Sequence, residues 1–236
     1  KINFKKLGFV VIDEQHKFGV KQRSELAKKG GNDCDVLLMS ATPIPRTMMM
    51  SLYGDMDISK IEKKPLDRKK IITLIKPEKK INELWIYLKK QIYDENQIFW
   101  VCPLIQESKI FDYSSAKKKF DIIEKKFPNK VGLIHGGLEK QEKEKILNKF
   151  LNKEIYILVS TTVIEVGIDY PNANTIVIEN SNKFGLAQLH QLRGRVGRGN
   201  KQGTCILLYK DNLSKNAVKR LKTLRESDDG FFIAEE

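Results

Sequence analysis

Residues 131–160 read VGLIHGGLEKQEKEKILNKFLNKEIYILVS. An apolar run, Val131–Ile134, is followed by the helical pattern of Glu139–Leu151 and then by a second apolar run, Ile155–Ser160. Short apolar runs between polar turn residues are typical of strands that are buried on both faces of a parallel sheet. Two such strands joined by a helix indicate a βαβ unit. This stretch therefore predicts an α/β fold.

The same alternation continues on both sides of this unit. Further strands are predicted at Leu7–Ile12, Val36–Met39, Gln97–Val101, Thr175–Ile178 and Thr204–Leu208, and further helices carry their apolar positions at Ile81, Leu84, Leu88 and Ile92, at Ala116, Phe120, Ile123 and Phe127, and within Leu213–Arg225. Strands that alternate with helices predict a doubly wound parallel sheet. Because ligands of such sheets bind at the carboxyl ends of the strands, we expect the motifs below to lie there.

Composition narrows the class of protein. The 236 residues are 41% hydrophobic and 31% charged, and no stretch approaches the roughly 20 apolar residues of a membrane span. The net charge of +13 suits a polyanionic partner. An AT-rich genome, whose codons favour Lys, Asn and Ile, explains the charge equally well. The chain begins Lys1-Ile2-Asn3-Phe4 without an initiator Met, so we expect it to be an internal piece of a longer protein. Cys34, Cys102 and Cys205 form no CxxC pair and are expected to be free thiols.

An acidic box, Asp13-Glu14-Gln15-His16, follows the first predicted strand. An Asp in this position can hold Mg²⁺ through water, and the metal bridges the β- and γ-phosphates of a nucleotide. The next carboxylate can orient and deprotonate the attacking water. His16 can sense the state of the phosphate. Four residues alone leave a chance acidic strand end as the alternative.

Hydroxyl residues follow the second predicted strand, in Ser40-Ala41-Thr42. They can donate hydrogen bonds to a carboxylate or a histidine at the neighbouring strand end, and this coupling role is predicted for Ser40 and Thr42. The segment Pro43-Ile44-Pro45-Arg46 comes next. Arg46 is a candidate phosphate contact, or an ordinary arginine at a helix entry.

The segment Gln188–Gly199 reads QLHQLRGRVGRG. Arg195 and Arg198 are three residues apart, so a helical turn would present both on one side. Two guanidinium groups there can stabilise the charge of a transferring phosphoryl group. The alternative is a solvated basic turn or a plain nucleic-acid patch.

Two further strand ends carry candidate nucleic-acid contacts. Thr161 and Thr162 stand at the end of a strand, before a predicted helix N-terminus that suits a phosphate. Gly167 and Asp169 stand where a nucleotide-facing turn would be. His135 opens a His-Gly-Gly loop and is as compatible with a structural role as with DNA contact.

In this order, these blocks resemble motifs II, III, V and VI of superfamily 2 helicases. Four longer stretches resemble the bacterial RecG family of ATP-dependent translocases that remodel branched DNA: DEQHKFGV from Asp13, ATPIPRT from Ala41, CPLIQES from Cys102 and FGLAQLHQLRGRVGRG from Phe184. The motor of the transcription-repair coupling factor shares the proline-rich block at Pro43–Arg46 and the segment Gln188–Gly199, which we call the arginine segment. It generally has a second Glu at the position of Gln15 and lacks the block at Cys102, and both differences favour RecG.

The resemblance implies a RecA-like fold. Residues 1–69 would be the C-terminal part of helicase domain 1 with a linker, residues 70–209 a complete helicase domain 2, and residues 210–236 the start of a helical-hairpin translocation element. It implies ATP and Mg²⁺ as cofactors. It also implies branched double-stranded DNA (forks and Holliday junctions) and single-stranded DNA-binding protein as partners, in the bacterial cytoplasm at the nucleoid, for recombination and repair.

The resemblance also implies a role for each candidate residue. Asp13 would place Mg²⁺, Glu14 would activate water, and His16, Ser40 and Thr42 would couple the site to domain motion; Gly167, Asp169 and Gln191 would contact the nucleotide; Arg195 and Arg198 would reach ATP across the interdomain cleft; Arg46, His135, Thr161 and Thr162 would contact DNA.

Departures from the family pattern are few. Lys17 stands where RecG proteins usually have Arg, Ser40 where they have Thr, and Asp67 where they have Gly. The 236 residues contain no G-x-x-x-x-G-K-[ST] phosphate loop, so we predict that this chain alone does not hydrolyse ATP. A non-catalytic nucleic-acid-binding module remains the alternative function.

Overall fold

The computed structural model describes residues 4–14, 25, 34–40, 57, 59, 61, 69–103, 109–161, 170–210 and 212–235. The chain divides into two compact units, Lys1–Asp55 and Met56–Glu236. The domain boundaries drawn from the sequence at residues 69 and 209 remain predictions.

The first unit contains two parallel strands, β1 (Phe9–Ile12) and β2 (Asp35–Leu38). Their register pairs Ile12 with Leu38, so both strands end at the same level. Along β1, Val10 and Ile12 are buried, whereas Phe9 and Val11 are exposed. Both strands were predicted from their apolar runs.

The second unit is built on a parallel sheet of six strands: β3 (Ile72–Pro77), β4 (Gln97–Cys102), β5 (Val131–Ile134), β6 (Ile157–Thr161), β7 (Ala173–Ile178) and β8 (Thr204–Tyr209), in the order β3-β8-β7-β4-β6-β5. Strand β3 was not predicted from the sequence. This strand pairs with β8 on one side only and ends in Pro77. Proline is tolerated at a sheet edge but weakens a strand prediction.

Among the described residues, six helices accompany the sheet: α1 (Ile81–Tyr93), α2 (Lys109–Lys126), α3 (Lys140–Leu151), α4 (Leu186–Arg193), α5 (Lys215–Glu226) and α6 (Gly230–Glu235). The segments Glu78–Lys80 and Ser181–Lys183 form 3-10 turns. Asp228 and Asp229 lie between α5 and α6.

Each face of the sheet carries its own hydrophobic core. Along β4, Trp100 belongs to one core with apolar residues of α1 and α2, whereas Phe99 belongs to the other with residues of α3, α4, α5 and α6. Alternating side chains of one strand point to opposite faces, so helices on both faces are required. Trp85 of α1 stacks on Trp100 with ring centroids 5.3 Å apart. The predicted doubly wound sheet is confirmed.

The cysteines are free thiols, as predicted. Cys102 and Cys205 are buried in β4 and β8. Burial raises the pKa of the Cys205 thiol to about 12 and raises that of Cys102 further. Neither is therefore a reactive thiolate at neutral pH. Within the described ranges, no helix combines the length and the apolar character that crossing a membrane requires.

Candidate functional site

The acidic box and the hydroxyl motif of the first unit follow neighbouring strands at one edge. The backbone N–H of Met39 donates to the carbonyl of Ile12 across 2.8 Å. Asp13 and Glu14 therefore follow β1 beside Ser40, which follows β2. The sequence predicted this neighbourhood from the strand ends, and the structure confirms it for these three residues.

Glu14 has a left-handed backbone, with φ of 48°. Its N–H donates to Oδ1 of the Asp13 side chain at 2.8 Å. Residues other than glycine are uncommon in this region, and such conformations cluster at functional sites. Asp13 is exposed and Glu14 half-buried. The sharp turn thus presents two adjacent carboxylates at the end of β1.

The carboxyl edge of the six-stranded sheet holds His135 and Thr161. The neighbouring strands β5 and β6 end in register, with Ile134 opposite Ser160, and Cys102 of β4 lies opposite Thr161. His135 is half-buried and its Nδ1 accepts a hydrogen bond from the N–H of Gly137 at 3.2 Å. Burial lowers the pKa of His135 below its ordinary value, so the imidazole is neutral at pH 7. The side chain of Thr161 is buried at the end of its strand.

A buried ion pair lies at the same edge. Lys119 of α2 pairs with Glu179, which follows β7, and both side chains are at most 14% exposed. Cys102 Sγ donates to the other carboxylate oxygen of Glu179 at 3.6 Å, and the Lys119 ammonium lies 5.5 Å from the centroid of the Trp100 ring. The pair therefore fastens α2 to the ends of β4 and β7.

Arg195 and Arg198 lie at the opposite, amino-terminal edge of the sheet. Between them, the N–H of Gly197 donates to the carbonyl of Ala173, the first residue of β7, at 3.3 Å. The expectation that every motif lies at the carboxyl edge is therefore wrong for these arginines. Helix α4 starts beyond the end of β7 and runs back along the sheet, so it delivers the arginines to the edge where β8 begins.

The arginines are also not part of a helix. Helix α4 ends at Arg193, and Gly197 has φ of +68°, a conformation that interrupts a right-handed helical path. The prediction that a helical turn presents Arg195 and Arg198 on one side is wrong. Arg195 is half-buried and Arg198 exposed, with Arg198 Nε donating to the carbonyl of Gly194 at 3.3 Å. Gln191 is half-buried on the last turn of α4.

Arg193 is the first arginine of the segment and was not among the predicted site residues. Its side chain is buried and donates to the backbone carbonyls of Leu224 and Ser227. Nη1 also forms an ion pair with Asp228 at 3.2 Å, and Nη2 lies 3.0 Å from His190 Nδ1. Asp228 and Asp229, which interrupt the helical pattern after α5, were the signal in the sequence for this role, because a buried arginine needs a carboxylate partner.

A second arginine binds α5 to the carboxyl edge. Arg220 of α5 donates to the carbonyls of Phe184 at 3.1 Å and of Asn182 at 3.0 Å. These carbonyls belong to the turn that follows β7. Helix α5 is thus tied to both ends of the segment that contains α4.

Six of the predicted site residues, His16, Thr42, Arg46, Thr162, Gly167 and Asp169, lie outside the residues that the structure describes. In the described ranges, no three side chains of His, Cys, Asp or Glu cluster as metal ligands would. Mg²⁺ commonly takes only one or two carboxylates and completes its shell with phosphates and water. The exposed carboxylate of Asp13 fits that kind of site.

The helicase conserved C-terminal domain family matches residues 77–200. The chain is similar to "ATP-dependent DNA helicase RecG" of Thermotoga maritima, with 48% identity over 99% of this chain and 30% of that protein. The RecG helicase of Escherichia coli K12 is 44% identical over 100% of this chain and 35% of its own length. The chain thus spans about a third of the length of these relatives.

Solved structures agree with this similarity. A structure of RecG bound to a three-way DNA junction superposes with a TM-score of 0.79 and 42% identity, covering 100% of this chain and 30% of that one. The yeast protein Dbp5, bound to RNA and ADP BeF3, superposes with a TM-score of 0.68 at 18% identity, over 97% of this chain and 59% of its own. At that identity the likeness shows the fold alone, which is the RecA-like helicase fold.

Proposed function

The chain belongs to the family of the helicase conserved C-terminal domain, and we propose that it is part of an ATP-driven motor that remodels branched double-stranded DNA. The similarity to RecG over the whole chain supports this function above the coupling-factor motor and above a non-catalytic binding module. Forks and Holliday junctions are the proposed substrates, in recombination and repair. Single-stranded DNA-binding protein is a proposed partner, and the bacterial nucleoid the proposed location.

One observation carries the proposal beyond the similarity. The arginine segment and the candidate DNA contacts lie at opposite edges of one parallel sheet, Arg195 and Arg198 beside the start of β7 and His135 and Thr161 at the ends of β5 and β6. A motor must handle a nucleotide and a DNA strand at the same time. Two separate edges of one rigid sheet allow both to be bound without competition.

At the nucleotide, Asp13 is proposed to hold Mg²⁺ through water and Glu14 to orient and deprotonate the attacking water. The metal would neutralise charge on the phosphates. Arg195 and Arg198 are proposed to stabilise the negative charge of the transferring phosphoryl group. Gly167, Asp169 and Gln191 are proposed nucleotide contacts, and His16, Ser40 and Thr42 are proposed to couple the phosphate state to motion.

At the DNA, the proposed contacts are Arg46, His135, Thr161 and Thr162. None of them forms a base-reading motif, so binding would follow the phosphate backbone. Since these 236 residues contain no phosphate loop, we propose that ATP hydrolysis requires sequence beyond this chain.

The function is tested in the full-length protein by ATP hydrolysis with a three-way junction, with linear duplex and without DNA. We expect the junction to stimulate hydrolysis most, and Glu14→Gln to abolish it while the junction still binds. A full-length protein that binds the junction but shows no DNA-stimulated hydrolysis would contradict the proposal and favour the binding module.

A further inference from the structure

Lys201 fastens the chain after Arg198 to the amino-terminal edge of the sheet. Lys201 Nζ donates to Asn96 Oδ1 at 2.8 Å and to the carbonyl of Asp94 at 3.1 Å. Asp94 and Asn96 belong to the turn between α1 and β4. The lysine therefore joins the arginine segment to a part of the chain more than a hundred residues away.

The acceptor, Asn96, is buried and bonded on both sides of its amide. Its Oδ1 also accepts from Asn174 Nδ2 at 3.0 Å, and its Nδ2 donates to Gln91 Oε1 at 3.0 Å. Asn96 is 8% exposed and Asn174 only 2%. A buried amide is costly unless it is hydrogen-bonded, and a connected set of buried hydrogen bonds fixes geometry. Asn96, Asn174 and Lys201 are thus joined by hydrogen bonds into one group.

The backbone on both sides of Arg198 is held closely against the same edge. A Cβ at Gly199 would lie 2.5 Å from the carbonyl oxygen of Pro171, and one at Gly197 would lie 3.1 Å from Cα of Gly203. A side chain at Gly199 would therefore require a shift of the backbone, and one at Gly197 would be strained by the φ of +68° at that position. Glycines provide the close approach, but they provide no side chain to hold it, and Lys201 supplies the nearest side-chain anchor that follows Arg198.

We propose that Lys201 and Asn96 are positioning residues for Arg198, which place its guanidinium for the nucleotide. This inference rests on the proposed function, because it assumes that Arg198 acts on the phosphates. Groups that stabilise a transition state must be held within about 0.5 Å of the productive geometry, and a misplacement of about 1 Å can cost ~100-fold in rate. Arg198 is exposed on a segment outside any helix, where its Nε donates to the carbonyl of Gly194, so its placement depends on how the backbone of that segment is anchored.

The test compares three variants of the full-length protein by steady-state ATP hydrolysis at saturating junction DNA. Lys201→Met removes the ammonium and keeps most of the side-chain stem. Lys89→Met is the matched control, because it removes the same charge from an exposed position on α1. Arg198→Ala reports whether the arginine acts in the reaction. Thermal unfolding and the salt dependence of DNA binding are measured for each.

For Lys201→Met we expect kcat to fall about tenfold, with the KM for ATP, the Tm and the DNA salt slope close to those of the unmodified protein. Lys89→Met should leave kcat unchanged. If Arg198→Ala lowers kcat and Lys201→Met does not, the positioning role is refuted and the proposed function stands. If Arg198→Ala itself leaves kcat intact, the proposed function of the arginine fails, and the positioning role fails with it. A fall in kcat that Lys89→Met shares would reveal a plain charge effect and would also refute the positioning role.

Discussion

Nη1 of Arg193, the last residue of α4, lies 3.2 Å from Oδ1 of Asp228, which belongs to the turn that joins α5 to α6. The arginine side chain is 3% exposed and that of the aspartate 19%. Burial lowers the pKa of the Arg193 guanidinium, and the charge of Asp228 opposes this shift and favours the ionised form. One ion pair thus joins the arginine segment to the predicted translocation element.

Arg193→Met should destabilise the protein by about 3 kcal/mol, because it leaves Asp228 and two backbone carbonyls without their buried donor. The measurement is the free energy of unfolding in urea. Arg225→Met is the control, since Arg225 is 46% exposed and forms an exposed ion pair with its neighbour Glu226; it should change stability by less than about 0.5 kcal/mol. Equal stabilities for the two variants would contradict the assignment.

Arg198→Ala in the full-length protein should lower kcat by roughly 10³ or more, about 4 kcal/mol of transition-state stabilisation. It should weaken ATP binding far less, because the interaction of the guanidinium group with the transferring phosphoryl group develops in the transition state. Arg195→Ala should behave similarly. If the two arginines form a DNA patch instead, DNA affinity and its salt slope would fall while kcat at saturating DNA survives.

The 236-residue chain by itself should not hydrolyse ATP. A phosphate loop supplies the backbone amides and the lysine that hold the β- and γ-phosphates, and this chain has no such motif. Phosphate release is measured with and without DNA. DNA-stimulated turnover by the purified chain, lost in Glu14→Gln, would overturn this expectation.

The same chain should bind DNA weakly, without sequence preference and with strong salt dependence. Its charge of +13 favours phosphate contacts. His135→Gln should leave the salt slope unchanged at pH 7.5, because burial lowers the pKa of His135 and the neutral ring carries no charge to the phosphates. Because the pKa of His135 is lower in the folded protein than its ordinary value of 6.5, the unfolded chain binds more protons as the pH falls below 6.5. The free energy of unfolding should therefore decrease as the pH falls through this range. Affinity that is constant between low and physiological salt would refute the electrostatic mode.

Lys119→Met should destabilise the protein by about 3–5 kcal/mol, because it leaves Glu179 buried without its countercharge. Lys117→Met on the same helix is the matched control. Lys117 forms an exposed i,i+4 pair with Asp121 at 3.1 Å, which is worth only about 0.3–0.5 kcal/mol. Thermal unfolding distinguishes the two, and similar losses for both variants would refute the buried pair as a fastening of α2.

Much of the fold could be predicted from local pattern. The runs at Val131–Ile134 and Thr204–Leu208 became β5 and β8 with little or no change in bounds, because buried parallel strands need continuous apolar residues. The edge strand β3 was not predicted, because it is paired on one side only and ends in proline. The helix expected through Arg195 and Arg198 also failed, because Gly197 turns the backbone to positive φ where the segment approaches Ala173.

The sequence by itself determined the alternation of strands and helices, the acidic strand end at Asp13 and Glu14, and the membership of the chain in a helicase family. Each of these features depends on residues that are close together along the chain. Only the tertiary structure decided which edge of the sheet each motif occupies, that Arg193 is buried against Asp228, and that Lys201 meets Asn96. The contact of Lys201 with Asn96 depends on the strand order, which places β7 between β8 and β4. Periodicity fixes which face a residue presents, but it carries no information on which strands become neighbours.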